Sequence, residues 1–273
     1  MANPAFSNSP AFSAKAAQRA AQRGEAPTVP TSGQLQEHFS LPSATEAQME
    51  RMSYEDTIFK TFAGFAVLLV GAAIGWFLPF LAIVGGIAGF VLAMVNIFKK
   101  KPSPALIMAY AGAQGLLVGG VSSYYAGMWN GIVPIALFGT LGVVGVTLAL
   151  FASGKVRASK RATQVFLVAI IGYAAFSLVN VGLMLFGVTD SMFGLRDFEI
   201  PIFGGIPLGI PLGILVVLLG AYSLVLDFEF VKRGVETGQP RIYGWTAAFG
   251  IIVTVVWLYL EILRLVSYFL PRN

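Results

Sequence analysis

The sequence predicts an all-α polytopic membrane protein with seven transmembrane helices and a polar amino-terminal tail. Three observations predict it. Of 273 residues, 56% are hydrophobic and only 11% charged, whereas an ordinary soluble domain carries about a quarter charged residues. The apolar residues fall in blocks of roughly twenty, the length that spans a ~30 Å hydrocarbon layer at ~1.5 Å per residue, and the mean hydropathy is +0.77. Lys and Arg gather in alternate loops between the blocks.

Residues 1–52 differ in composition from residues 53–273. They are rich in Ala, Ser, Pro, Asn and Gln, hold the only histidine, His38, and lack a sustained apolar run. Such a segment is expected to be a disordered cytoplasmic tail. No charged start leads directly into an apolar core and a small-residue cleavage site, so it does not read as a signal peptide. Asn3–Phe6 (NPAF) is nearly repeated as Ser9–Phe12 (SPAF), and Lys15, Arg19 and Arg23 recur at a spacing that shares one helical face. The opposite face is alanine, which favours a solvated, partly helical stretch over an anchor to anionic lipid.

Seven apolar segments follow, at about 57–78, 80–98, 104–126, 131–152, 163–187, 207–231 and 246–270. The first two are joined by a tight hairpin at Leu78, Pro79 and Phe80. The sixth has a proline-rich lead-in, IPIFGGIPLGIPLG, and Pro is tolerated in a helix's first turn but not its interior. The regular helix is therefore expected from Pro211, with the lead-in along the outer surface or dipping inward as a vestibule. Lys99, Lys100 and Lys101 stand after segment two. Lys155, Arg157, Lys160 and Arg161 stand after segment four, and Lys232, Arg233 and Arg241 after segment six. The other three loops hold one basic residue, Arg196, beside Asp190, Asp197 and Glu199. The positive-inside rule then puts the amino terminus in the cytoplasm and, after seven spans, the carboxyl terminus outside. It also assigns the net charge of +5 to topology and not to nucleic acid. Gly71/Gly75, Gly85/Gly89 and Gly115/Gly119 form GxxxG pairs, which let backbones approach closely inside lipid; packing within one chain is the expectation.

Several chemistries are excluded. There is no Cys and a single His, which removes disulfide frameworks, Cys/His metal sites, thiol redox chemistry and HExxH hydrolysis. A Ser-His-Asp site would have to use His38 in the tail. Segment seven has no lysine for a retinal Schiff base, and no enzyme motif stands out.

Intramembrane acids are functional candidates by default, because a charge in hydrocarbon costs several kcal/mol. Asp56 and Lys60 form an i,i+4 pair in the favourable order. Glu229 has Lys232 and Arg233 on its own face. Asp227 lies on another face, with Gly220, Ser223, Leu224 and Val231 and no basic partner, so it is expected to point inward. Glu261 sits deep in segment seven, on a face shared with Ala247, Gly250, Thr254 and Leu258; Arg264, one turn later, offers a local ion pair. Two acids brought together on adjacent helices favour a single shared proton, through like-charge repulsion and desolvation. Its loss would push the helices apart and expose hard oxygens to a cation. Tight Ca²⁺ binding takes six to eight oxygens, so transient passage fits better than storage. Gln114, Ser122, Ser123, Ser177 and Asn180 either line a polar path or make hydrogen bonds between helices.

The seven-span layout, the segment-six ending YSLVLDFEFV and the segment-seven core WLYLEILRL resemble the Bax inhibitor-1 family in its bacterial branch. NPAFSNSPAF, MSYEDTIFKT and ETGQPRIYGWTAAFGIIVTVVWLYLEILRLVSYF are similar to one bacterial subgroup. The resemblance covers about residues 50–270 and the first dozen of the tail. It implies six helices around a central seventh in the bacterial inner membrane. For some members it implies a pH-sensitive Ca²⁺ leak sensed by an aspartate pair from the last two helices. Asp227 matches the first aspartate, and Glu261 occupies the second position as a glutamate, keeping the charge and adding a methylene. The connection between the two acids is longer here, and simple rise counting puts Glu261 ~10 Å nearer the outer side. Lys99, Lys100 and Lys101 match a basic cluster that can hold the first aspartate in a closed state. The expected function is a pH-sensitive cation (Ca²⁺) leak channel gated by Asp227 and Glu261, with no resident cofactor. The alternative, suggested by the long polar tail, is a non-conducting regulator acting by contact with a membrane protease or other membrane partner.

Overall fold

The computed structural model of the protein describes residues 50–99, 101–189, 191–201 and 205–272. The tail, with His38 and its basic face, lies outside the described residues, as do Lys100 and Asp190. Seven helices, all long and apolar enough to cross a membrane, follow in order. They are α1 (Tyr54–Phe77), α2 (Leu81–Phe98), α3 (Pro104–Met128), α4 (Ile132–Ala152), α5 (Lys160–Leu185), α6 (Gly209–Glu236) and α7 (Gly244–Ser267). The expected segments hold to within a few residues. Helix α6 starts at Gly209, two residues before Pro211, which still leaves that proline in the first turn where its missing N–H costs nothing.

Local chemistry sets the helix ends. Ser53 caps α1, its side chain accepting from the Asp56 amide, and Glu55 and Asp56 occupy the first turn, where acids complement the helix dipole. Pro104 opens α3, and Ser159 caps α5 by accepting from the Ala162 amide. The loops after α2, α4 and α6 lie at one end of the bundle, here the basic end. The long α5–α6 loop and the carboxyl terminus lie at the opposite end. That loop contains a 3₁₀ turn (Gly194–Asp197) and a two-residue antiparallel ribbon, β1 (Glu199–Ile200) with β2 (Ile206–Pro207).

Glycines decide how closely the first three helices pack. A Cβ on Gly71 would press into the Gly112 carbonyl and stand 3.1 Å from Cα of Gly115, and one on Gly85 would stand 2.6 Å from the Ala113 carbonyl oxygen. Gly115 and Gly119 meet the backbone of Leu68 and Ala72 in the same way. The GxxxG pairs thus join α1 and α2 to α3 within the chain, by dispersion contacts that only bare backbones permit.

Helix α7 is the hub, packed on α1, α3, α4 and α6. Its Leu258, Tyr259, Ile262 and Leu263 join Tyr125, Trp129, Ile132, Ala136 and Leu224 in one core. Its Ile252 and Val256 join Leu68, Tyr110 and Ala111 in another. Helix α5 is outermost: 6% of its apolar window is buried, against 44% for the last helix. It reaches the hub through side chains, such as the Tyr173–Trp257 ring pair at 6.1 Å.

At the basic end, the residues leading into α1 are tied to the loop before α7. The Met52 amide donates to the Gln239 carbonyl at 2.7 Å and the Arg241 amide to the Glu50 carbonyl at 2.6 Å. Asp56 pairs with Lys60, as the i,i+4 spacing predicts, and also with Arg241 at 2.7 Å.

Candidate functional site

Helices α6 and α7 run antiparallel with their small faces together. Gly220 faces Leu258, whose Cδ1 would lie 2.8 Å from a Cβ there. The Ser223 hydroxyl lies 3.3 Å from that of Thr254, and Val231 packs with Ala247. Asp227 sits in this seam, half-buried, and its Oδ2 accepts a hydrogen bond from Thr254 Oγ1 at 2.7 Å. Gly250 makes room for the carboxylate, since a Cβ there would stand 2.9 Å from Oδ1. The inward orientation expected of Asp227 is what the seam requires. Among the described residues, no Lys or Arg pairs with it.

Glu261 lies nearer the opposite end and is 4% exposed. Arg264 binds both its carboxylate oxygens, at 2.8 and 2.9 Å, so the local ion pair forms. Arg196, from the α5–α6 loop, donates to Oε2 at 3.3 Å, and the Tyr173 hydroxyl donates to Oε1. Arg196 is itself 5% exposed. It donates to the Tyr173 oxygen at 2.7 Å and lies 5.2 Å from that ring's centroid and 5.8 Å from Phe176's. Two guanidinium groups and a phenol thus surround one carboxylate. Such an arrangement repays desolvation only when nearly every donor finds a partner.

The two acids do not meet. The α6–α7 register puts Glu261 level with Val217, ten residues along α6 from Asp227, roughly 15 Å at ~1.5 Å per residue. The shared proton expected of a touching pair is replaced by separate partners, Thr254 for one acid and Arg196, Arg264 and Tyr173 for the other. Rise counting from the longer connection already pointed this way.

The α5–α6 loop is shaped to deliver Arg196. Asn180 on α5 accepts from the Leu195 amide at 2.6 Å and donates to the Phe193 carbonyl at 3.1 Å. Gly194 adopts φ +61° against the Asn180 side chain, a left-handed conformation that a β-carbon would strain. Asp197 accepts from the Phe193 amide and from the Tyr268 hydroxyl, both at 3.0 Å. This segment, 191–198, is a lid with one arginine driven inward; the lead-in that follows it, expected along the surface or as a vestibule, contributes the ribbon of Ile200 with Ile206 before α6, and its residues 202–204 lie outside the described residues. Arg196 and Tyr173 were not singled out by spacing. The available signal is a lone basic residue among the three connecting loops of the side where basic residues are scarce.

Of the other polar candidates, Ser122 bonds Tyr259 at 2.7 Å, Ser177 lies 3.4 Å from Arg196 and Asn180 holds the lid. Glu229 pairs with Arg233 at 3.0 Å, while Lys232 turns to Glu236 at 3.7 Å. Lys99 and Lys101 are exposed and make no ion pair among the described residues; Lys99 borders a small cleft with Tyr243 and Thr246 at the start of α7. No group of three or more His, Cys, Asp or Glu able to hold a metal occurs among the described residues.

No curated protein matches the chain. Residues 3–270 match the family model described as Bax inhibitor 1 like. With nearly the whole chain covered and seven apolar helices in place, the protein belongs to the Bax inhibitor 1-like family of membrane proteins.

Proposed function

We propose that the protein is a proton-sensitive cation leak pathway, passing Ca²⁺ among other ions, in a bacterial inner membrane. Its basic loops and amino terminus face the cytoplasm and its carboxyl terminus faces outside. The observation that supports this most is Asp227, an acid inside the α6–α7 seam with one hydroxyl donor, Thr254, and no cation beside it. As a neutral acid it fits the seam. Without its proton it places an unpaired charge among small and apolar groups, which water or a passing cation relieves at far lower cost than the closed seam can.

Glu261 has a different part. Neutralised by Arg196 and Arg264, it holds the lid onto the hub helix and keeps the opposite end shut. Release of Arg196 leaves Glu261 to Arg264 alone and unfastens the lid at that end, and a single carboxylate at each level favours passage over storage. Lys99, Lys100 and Lys101 supply a cationic latch on the closed state, with Lys99 bordering the cleft at the start of α7, and this latch sets how far the pH must rise before the seam opens.

The test is Ca²⁺ flux into liposomes between pH 6 and 8 for wild type, Asp227→Asn and Glu261→Gln. Wild-type flux should rise with pH as Asp227 loses its proton. The Asp227→Asn curve should be flat, and Glu261→Gln should leak more while keeping its pH response. Superimposable curves for all three would end the proposal.

A further inference from the structure

A cleft of about 540 Å³ opens at the basic end between the first turns of α5 and the last turns of α6. That volume falls in the ~300–1,000 Å³ range of ligand sites. Lys160, Thr163 and Gln164 line it from α5, and Leu226, Glu229, Phe230 and Arg233 from α6. The cleft exists because α5 is held loosely. Where it meets α6 here, the Thr163 and Tyr222 hydroxyls bond at 2.9 Å and Phe166 packs on Tyr222 at 5.4 Å between centroids.

Its chemistry is part charged and part apolar. Lys160 and Arg233 stand at the rim, beside the amino-terminal end of α5, whose dipole favours anions. Among the described residues the one acid in the lining, Glu229, accepts from Arg233 Nε at 3.0 Å through Oε1, while its Oε2 is buried without a partner; with Lys160 added, the lining keeps a net positive charge. Leu226 and Phe230 supply its apolar lining, and Phe230 is 45% exposed. A free inorganic anion would use the rim and waste the apolar lining. A molecule with an anionic head and an apolar body uses both, and basic pockets between transmembrane helices bind such headgroups.

We propose that this cleft binds the headgroup of an anionic glycerophospholipid, its phosphate on Lys160 and Arg233 and its glycerol and upper acyl carbons against Leu226 and Phe230. Thr163 and Gln164 supply neutral donors to the remaining headgroup oxygens. The site is independent of the Asp227 seam and of any ion flux.

The test is native mass spectrometry of the full-length protein titrated with phosphatidylglycerol or phosphatidylcholine. Lys160→Gln/Arg233→Gln is compared with Lys155→Gln/Lys232→Gln, which removes equal charge from the same end without touching the cleft lining. Wild type and the second variant should retain phosphatidylglycerol in clear preference to phosphatidylcholine. The first variant should lose it about 30-fold, the equivalent of about 2 kcal/mol at ~1 kcal/mol for each basic residue. Equal losses in both variants would mean diffuse surface attraction and overturn the site. Equal retention of the two lipids would make the cleft a general lipid contact, and displacement by millimolar inorganic phosphate would make it a simple anion site; either result also overturns the proposal.

Discussion

Removing Arg196 tests whether the lid is held by charge. Its side chain makes an ion pair with Glu261 at 3.3 Å and donates to Tyr173 at 2.7 Å, with both members of the pair nearly sealed from solvent. Breaking a buried pair from one side costs about 3–5 kcal/mol when the other charge is stranded. In Arg196→Met, Glu261 is not stranded, because Arg264 still holds both its oxygens. The loss is then one charged hydrogen bond, about 1.5–3 kcal/mol, and a cation–π contact of about 0.5–1 kcal/mol, partly offset by the buried methionine. The expected cost is about 2–3 kcal/mol. Glu261→Gln is worse, because it strands Arg196, and should cost about 3–5 kcal/mol. The double variant should cost no more than Glu261→Gln alone, giving a coupling of about 2–3 kcal/mol. Reversible unfolding in detergent micelles measures all four corners of the cycle, and hydrogen exchange reports the lid amides at 191–201. Costs that add to within about 0.5 kcal/mol, or unchanged lid protection in Arg196→Met, would refute a charge-held lid.

Two further outcomes follow from packing and pairing. Gly115→Val should destabilise by about 1–3 kcal/mol or more, since its Cβ would stand 2.9 Å from both Gly71 Cα and the Ala72 amide nitrogen. Gly127→Ala, with nothing within 4 Å of a Cβ, should be near neutral in the same unfolding assay. Asp56→Asn removes the acid that Lys60 and Arg241 share. Lys60 is 6% exposed and keeps only the Arg241 carbonyl at 2.7 Å, so the cost should approach about 3 kcal/mol. Asp56→Glu should recover most of it, and recovery no better than Asn would argue against the pair.

Which features were legible in the sequence follows from the range of the interactions. Seven spans could be read because hydrocarbon thickness imposes a length on every apolar run, and sequence alone supplies that length. The same holds for contacts that a helix brings together by its own pitch: Asp56 with Lys60, Glu229 with Arg233 and Glu261 with Arg264 all stand three or four residues apart. The GxxxG pairs showed that backbones would touch, but not which ones; α3 receives both α1 and α2 because its glycines and alanines lie on two faces.

The partners that define the candidate site needed the tertiary structure. Arg196 and Tyr173 come from 65 and 88 residues before Glu261, and nothing in local periodicity relates them. The separation of Asp227 from Glu261 is set by where α7 begins after Gly238 and the turn at Arg241–Tyr243. A shift of one helical turn there moves Glu261 by about 5.4 Å. Composition and spacing by themselves determined a bundle of seven membrane helices with acids inside it. Only the folded register decided that one acid rests on a hydroxyl and the other on two arginines, because the pairing energy of a buried charge depends on what loop closure brings to within a few ångströms.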